Sequence, residues 1–120
     1  MEAAREEDEV LVAGRLEVRP AESLVLASGR PLNLSVREFR LLVALARRTD
    51  RIVTREQLYA AVWGSRLRDG DRSVDVYVHK LRDKLEAALP EWRFIHTHVG
   101  FGYRFGAEPS HPFHMPATGR

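Results

Sequence analysis

The apolar positions change their period twice along the chain, near residue 35 and again near residue 91. Up to residue 34, the apolar stretches are short: Leu11-Val12-Ala13, Leu16-Glu17-Val18, Leu24-Val25-Leu26 and Pro31-Leu32-Asn33-Leu34. Gly14, Pro20 and Ser28-Gly29 separate them, and leucines alternate at 24/26 and 32/34. Short alternating runs between turn formers predict a small antiparallel sheet. Ser35-Val36-Arg37-Glu38 then has the form of a capping box, the serine side chain accepting from the Glu38 amide while the glutamate reaches back. Phe39, Leu42, Val43 and Ala46 follow at helical spacing, which predicts a first helix to Arg47 or Arg48. Thr54-Arg55-Glu56-Gln57 repeats the device before Leu58, Ala61 and Val62, and Trp63-Gly64 closes the second helix. The polar segment Ser65–Asp71 leads into a third helix, Arg72 to Leu89, stopped by Pro90. Trp92–Thr97 and Tyr103–Phe105 read as two strands joined through Gly100-Phe101-Gly102. The predicted order is sheet, three helices, hairpin: an α+β domain.

Composition bounds what such a domain does. The chain has 120 residues, 44% hydrophobic and 30% charged, which fits one globular unit with its own core. It has no cysteine, which excludes disulfides, zinc-thiolate sites and a thiol nucleophile. No apolar run is long enough to span a bilayer, and no apolar signal core opens the chain, so a cytoplasmic protein without membrane partners is expected. The net charge is only +2, but five acids against one arginine in residues 1–9 leave +6 on the remainder. Residues 1–9 are read as an acidic linker, 10–106 as the domain, and 107–120, rich in proline, histidine and small residues, as a disordered tail.

The third helix has two distinct faces. Val74, Val78, Leu81 and Leu85 fall on one side at i, i+4, i+7 and i+11, the spacing of a core-facing stripe. The other side carries Ser73, Val76, Lys80 and Asp83, with Arg72, Tyr77 and Lys84 at its edges. That mixture suits a DNA groove better than a solvated face of alternating Glu and Lys. Lys80 can donate to guanine O6/N7, Val76 can touch a thymine methyl, and Tyr77 can reach a phosphate or base edge. Arg72 and Ser73 at the helix start can hold a phosphate with the free amides there. In the hairpin, Thr97, His98, Tyr103 and Arg104 are the polar candidates for a backbone or minor-groove contact.

Six blocks, in order, resemble one known pattern. They are Leu34-Ser35-x-x-Glu38-Phe39-x-Leu41-Leu42; Val53-Thr54-Arg55-Glu56-Gln57-Leu58; Val62-Trp63-Gly64; Arg72-Ser73-Val74-Asp75-Val76; Lys80-Leu81-Arg82-x-Lys84-Leu85; and Gly100-Phe101-Gly102-Tyr103-Arg104-Phe105. This stretch resembles the effector domains of the OmpR/PhoB family of response regulators. The resemblance implies a winged helix-turn-helix with an N-terminal antiparallel sheet, three helices and a C-terminal hairpin wing. It implies that the third helix enters the major groove of duplex DNA and that the wing reaches the adjacent minor groove. Two domains would sit head to tail on direct repeats, each a monomer in isolation. By position, Trp63, Arg72, Ser73, Arg82, Thr97 and Tyr103 would hold phosphates, and Val76, Tyr77 and Lys80 would face bases; Lys84, at the edge of the third-helix face, is a further phosphate candidate. The wing position that often carries arginine in the family is Val99 here, beside His98, and the place of Tyr77 is often histidine. Asp75 matches the family aspartate and reads as structural, favoured near a helix N-terminus by the dipole. The chain holds no receiver-type α/β domain, so it reads as the output half of a two-component regulator or as a free-standing regulator.

Rival readings carry less. His96 and His98 share a strand face, a usable ligand spacing, and His111 and His114 follow in the tail. No carboxylate cluster or phosphate loop accompanies them, so neither an enzyme nor a metal or other cofactor is expected. The family uses the loop between the second and third helices to touch RNA polymerase, which here singles out Arg66, Arg68 and Asp69, with Asp71. The aromatic stacking platform of a single-strand RNA binder is missing.

Overall fold

Two capping boxes and one close backbone contact organise the fold. In the computed structural model, which describes residues 9–110, the chain starts with four strands: β1 (Leu11–Ala13), β2 (Leu16–Arg19), β3 (Leu24–Ala27) and β4 (Arg30–Pro31). Helix α1 (Val36–Ala46), strand β5 (Ile52–Val53) and helices α2 (Arg55–Trp63) and α3 (Ser73–Ala88) follow, then strands β6 (Trp92–His98) and β7 (Gly102–Pro109). The expected linker before residue 9, and the tail from 111 on with His111 and His114, lie outside the described residues.

The first sheet is antiparallel in the order β1-β2-β3-β4. Ser28 and Gly29 both take positive φ, 50° and 80°, as the two-residue turn between β3 and β4 requires. Register pairs Val18 with Val25 and Leu16 with Ala27, and these four are the buried positions. Leu24 and Leu26, the alternating leucines, are only half-buried because they occupy the opposite face. The last strand is Arg30–Pro31, shorter than the Pro31–Leu34 run in the sequence.

Both capping boxes form. Ser35 Oγ accepts from the Glu38 amide at 3.1 Å and Glu38 Oε1 accepts from the Ser35 amide at 2.8 Å. Thr54 and Gln57 make the same exchange at 3.1 and 2.9 Å. Such caps each stabilise a helix start by about 1 kcal/mol. The α2 helix ends at Gly64, whose amide donates to the Ala60 carbonyl at 3.0 Å. On α3 the buried residues are Val74, Val78, Leu81 and Leu85, as the spacing predicts. They pack with Leu41, Leu42 and Leu45 of α1, and Phe94 and Phe105 stack beneath them at 6.1 Å.

The second sheet departs from the sequence reading in two ways. It has three strands in the order β5-β7-β6, where the sequence predicted a hairpin alone. Ile52 and Val53 pair with Arg104 and Tyr103, tying the hairpin to the turn before α2. Strand β7 also runs to Pro109, so residues 107–109 belong to the sheet and not to the tail. Trp92 and Arg93 supply its partners there, Arg104 holds Glu108 at 3.0 Å, and the Ser110 amide donates to the Glu91 carbonyl at 2.9 Å.

The close contact is at Gly102. Its φ is +147°, and a Cβ there would lie 2.1 Å from the Val53 carbonyl oxygen. Only a residue without a side chain lets the wing lie this near α2. Gly102→Ala is expected to destabilise by about 2–4 kcal/mol through strain and overpacking together. Gly29→Ala, with φ +80° and open space around it, should cost only about 1–2 kcal/mol for the left-handed backbone. Urea unfolding of the two variants compares them, and equal losses would contradict the contact.

Candidate nucleic-acid interface

The elements around α3 hold it through two carboxylates. Asp75 sits one turn into the helix and accepts from the Tyr103 hydroxyl of β7 and from Arg55 Nε of α2 at 2.8 Å. Arg72 Nε lies 3.4 Å from its other oxygen. Burial on its own raises the Asp75 pKa. The bonds from Tyr103 and Arg55, with the charges of Arg55 and Arg72, outweigh that and hold the carboxyl below its ordinary value. Tyr103 shifts the other way, since burial and its bond to the carboxylate both disfavour the phenolate.

The second carboxylate is Glu38, 3% exposed and the only buried charged residue among the described ones. Lys84 Nζ donates to its Oε1 at 2.7 Å, which fastens α3 to the start of α1. Burial pushes the Glu38 pKa up. The Lys84 hydrogen bond, the Ser35 amide, the Lys84 charge and the Ser35 hydroxyl together push it further down, leaving it below its ordinary 4.5.

Between these anchors, α3 presents Val76 and Lys80 to solvent. Tyr77 beside them is half-buried, its ring edge-on to Trp63 at 5.5 Å, and Lys80 Nζ stands 5.1 Å above the Tyr77 ring. Trp63 stacks on Tyr59 at 4.8 Å with planes 4° apart, and the Arg37 guanidinium lies 4.9 Å from the Trp63 ring on the α1 side. Tyr77, Lys80 and Trp63 therefore form one connected surface, with Val76 exposed next to Tyr77 along α3.

The phosphate candidates divide by what already occupies them. Arg72 is largely exposed. Ser73 gives both its amide and its hydroxyl to Asp71 Oδ1, at 2.8 and 2.6 Å, so the free amide expected at the helix start is engaged in the DNA-free chain. Arg82 Nη2 donates to Thr97 Oγ1 at 2.8 Å, joining α3 to β6. Tyr103 is buried with its hydroxyl on Asp75, and the Lys84 ammonium is committed to Glu38.

On the wing, Arg104 Nε donates to His98 Nε2 at 3.1 Å, and its other nitrogens reach Glu108 and Asp50. Val99 and Phe101 stand out at the tip, 87% and 71% exposed. His96 Nε2 lies 2.8 Å from the Gly106 carbonyl, and no group of three or more metal-ligating side chains gathers among the described residues. Arg66, Arg68 and Asp69 are exposed in the loop before α3.

Sequence reasoning missed Arg37, Tyr59, Arg55 and strand β5. Tyr59 had a signal, lying four residues before Trp63 on the same helix face. The Arg55–Asp75 and Lys84–Glu38 pairs join residues 20 and 46 apart, which no local pattern reveals.

Three helices with a hairpin sheet laid beside the third define a winged helix-turn-helix module. Residues 29–105 match the family described as "Transcriptional regulatory protein, C terminal", and the chain belongs to this family, a class of DNA-binding regulator domains and not of enzymes. Among curated relatives, the alkaline phosphatase synthesis regulator SphR of Synechococcus elongatus is 38% identical over 91 residues, 76% of this chain and 35% of that protein. The phosphate regulon regulator PhoB of Escherichia coli is 37% identical over 98 residues, 82% of this chain and 42% of that protein. The chain thus spans well under half the length of these relatives. Among solved structures, the RstA DNA-binding domain of Klebsiella pneumoniae in complex with the RstA box matches with TM-score 0.74 and 32% identity, covering 82% of this chain and 97% of that one. The DNA-binding domain of CpxR from E. coli gives 0.73 and 31%, covering 83% and 99%. No helix among the described residues is long and apolar enough to cross a membrane.

A folded pKa below the unfolded one means that ionised Glu38 stabilises the fold above pH 4.5 and stops doing so as pH falls through the folded value. The stability advantage of wild type over Glu38→Gln should therefore be full above pH 4.5 and shrink below it. Lys84→Met should cost roughly 1–3 kcal/mol by leaving a buried carboxylate without its counter-charge, with only the Ser35 amide on the same oxygen. Urea titrations across pH check both, and a pH-independent Glu38→Gln difference would contradict the assignment.

Proposed function

We propose that this chain binds duplex DNA sequence-specifically as the output part of a bacterial transcription regulator, in the cytoplasm. The observation that carries the proposal is the exposed face of α3. Val76 and Lys80 stand clear of the core stripe and are flanked by Tyr77, Trp63 and Arg72. The RstA domain solved on its DNA box supports the same use of this fold.

In this reading α3 lies in the major groove, with Val76, Tyr77 and Lys80 facing bases. Trp63, Arg72, Arg82, Thr97 and Tyr103 hold or position phosphates, and Ser73 joins them once Asp71 releases it. Lys84 leaves the phosphate set, because its ammonium serves Glu38. The wing lies along the backbone through Thr97. Arg104, drawn toward Glu108 and Asp50, does not extend from the tip, and Val99 brings no charge there. Two copies bind head to tail on direct repeats while the free chain is a monomer. The exposed loop bearing Arg66, Arg68 and Asp69 is the surface offered to RNA polymerase.

Selection of bound duplexes from a random pool tests the central statement: a recurring half-site is expected, and failure to enrich any sequence would refute it. On the selected duplex, Lys80→Ala should relax preference at one base pair, costing roughly 1–3 kcal/mol there. Arg72→Ala should weaken all sequences alike. Equal loss on specific and random DNA for Lys80→Ala would remove it from the reading set.

A further inference from the structure

We propose that Arg37 of α1 is a phosphate-binding residue, so that the DNA-contacting surface extends past the helix-turn-helix onto the first helix. This rests on the DNA-binding reading above.

The capping box fixes where α1 begins and so decides the direction of each side chain in its first turn. Glu38 is turned inward and buried, while its neighbour Arg37 is exposed. The Arg37 guanidinium stands over Trp63, which meets Tyr77 edge-on, and Lys80 stands over Tyr77. A continuous row of cation, indole, phenol and cation thus crosses α1, α2 and α3 and ends at the base-facing residues. Arg37 is not a remote surface charge. It is the far end of the surface that carries Lys80.

Its chemistry is open to an anion. Among the described residues Arg37 makes no ion pair, and the adjacent carboxylate, Glu38, is taken up by Lys84 and the Ser35 amide. Contact with one indole at 4.9 Å leaves most of the guanidinium's five N–H donors for another partner. An arginine held this way has lost part of its rotamer freedom and still presents a fork matched to phosphate oxygens. The other cations near this surface differ: Lys84 is bound to Glu38, Arg55 to Asp75, and Arg82 to Thr97.

The competing role is mere cover for Trp63, which the aliphatic stem alone would serve. Charge separates the two. Duplex affinity is measured on the selected DNA and on a random duplex between about 50 and 200 mM salt, for wild type, Arg37→Met, Arg37→Lys and Arg72→Ala. Arg37→Met keeps an unbranched apolar stem over the indole and removes the charge. It is expected to reduce the log–log salt slope by about 0.9, the value for one phosphate contact, and to weaken both duplexes by the same factor. Arg37→Lys should restore the slope. An unchanged slope in Arg37→Met, while Arg72→Ala lowers it, would overturn the role of Arg37 and leave DNA binding standing. Absence of salt-dependent duplex binding by the wild-type chain would instead overturn the underlying reading.

Discussion

The carboxylate of Asp75 is the point on which the arrangement of this domain depends. It receives the Tyr103 hydroxyl from the wing strand and Arg55 from the start of α2, with Arg72 alongside. A half-buried carboxylate needs such partners, because losing water without replacing its hydrogen bonds is costly. Meeting that need brings three separate chain segments to one place. The wing's own backbone approach through Gly102 keeps β7 against Val53 and Thr54, where the hydroxyl of Tyr103 can reach α3. Without Asp75, α3 would still bury its apolar stripe, but the Arg82–Thr97 bond to β6 would be the polar tie left between it and the wing sheet among the described residues.

Glu38 plays the matching part at the other side of α3. Together the two carboxylates engage several of the cations around α3 and leave others, among the described residues, without an ion pair. Lys84 and Arg55 are structural by this division, and Arg82 joins α3 to the wing sheet through Thr97. Lys80 and Arg37 stay exposed at the two ends of the aromatic row, and Arg72 is exposed at the start of α3 beside Asp75. A modest net charge of +2 is therefore compatible with a DNA-binding surface, since placement matters more than the total.

Features encoded by neighbouring residues were legible in the sequence. The two capping boxes, the Val74/Val78/Leu81/Leu85 stripe and the Gly64 stop lie within single helices, and periodicity reveals them. The family blocks also contain Trp63 and Lys80, which the fold brings onto Tyr77. Pairings across the chain were not legible. The two-residue strand β5 exists only because β7 pairs with it, and β7 continues to Pro109 only because Trp92 and Arg93 meet it. Lys84 looked like a phosphate ligand because its position on α3 is right, and only the fold brings buried Glu38 to it. Ser73 looked free because the competing acceptor, Asp71, belongs to a loop whose path the sequence does not specify.

The most direct test of the claim that Asp75 joins wing, α2 and α3 into one body is amide hydrogen exchange on Tyr103→Phe. Removing the hydroxyl deletes one charge-assisted bond and leaves the ring in place. Amides in the β5–β7 ladder and in the first turns of α3 are expected to lose protection together, by about tenfold or more if the bond contributes about 1.5 kcal/mol. Protection unchanged in both regions would contradict it.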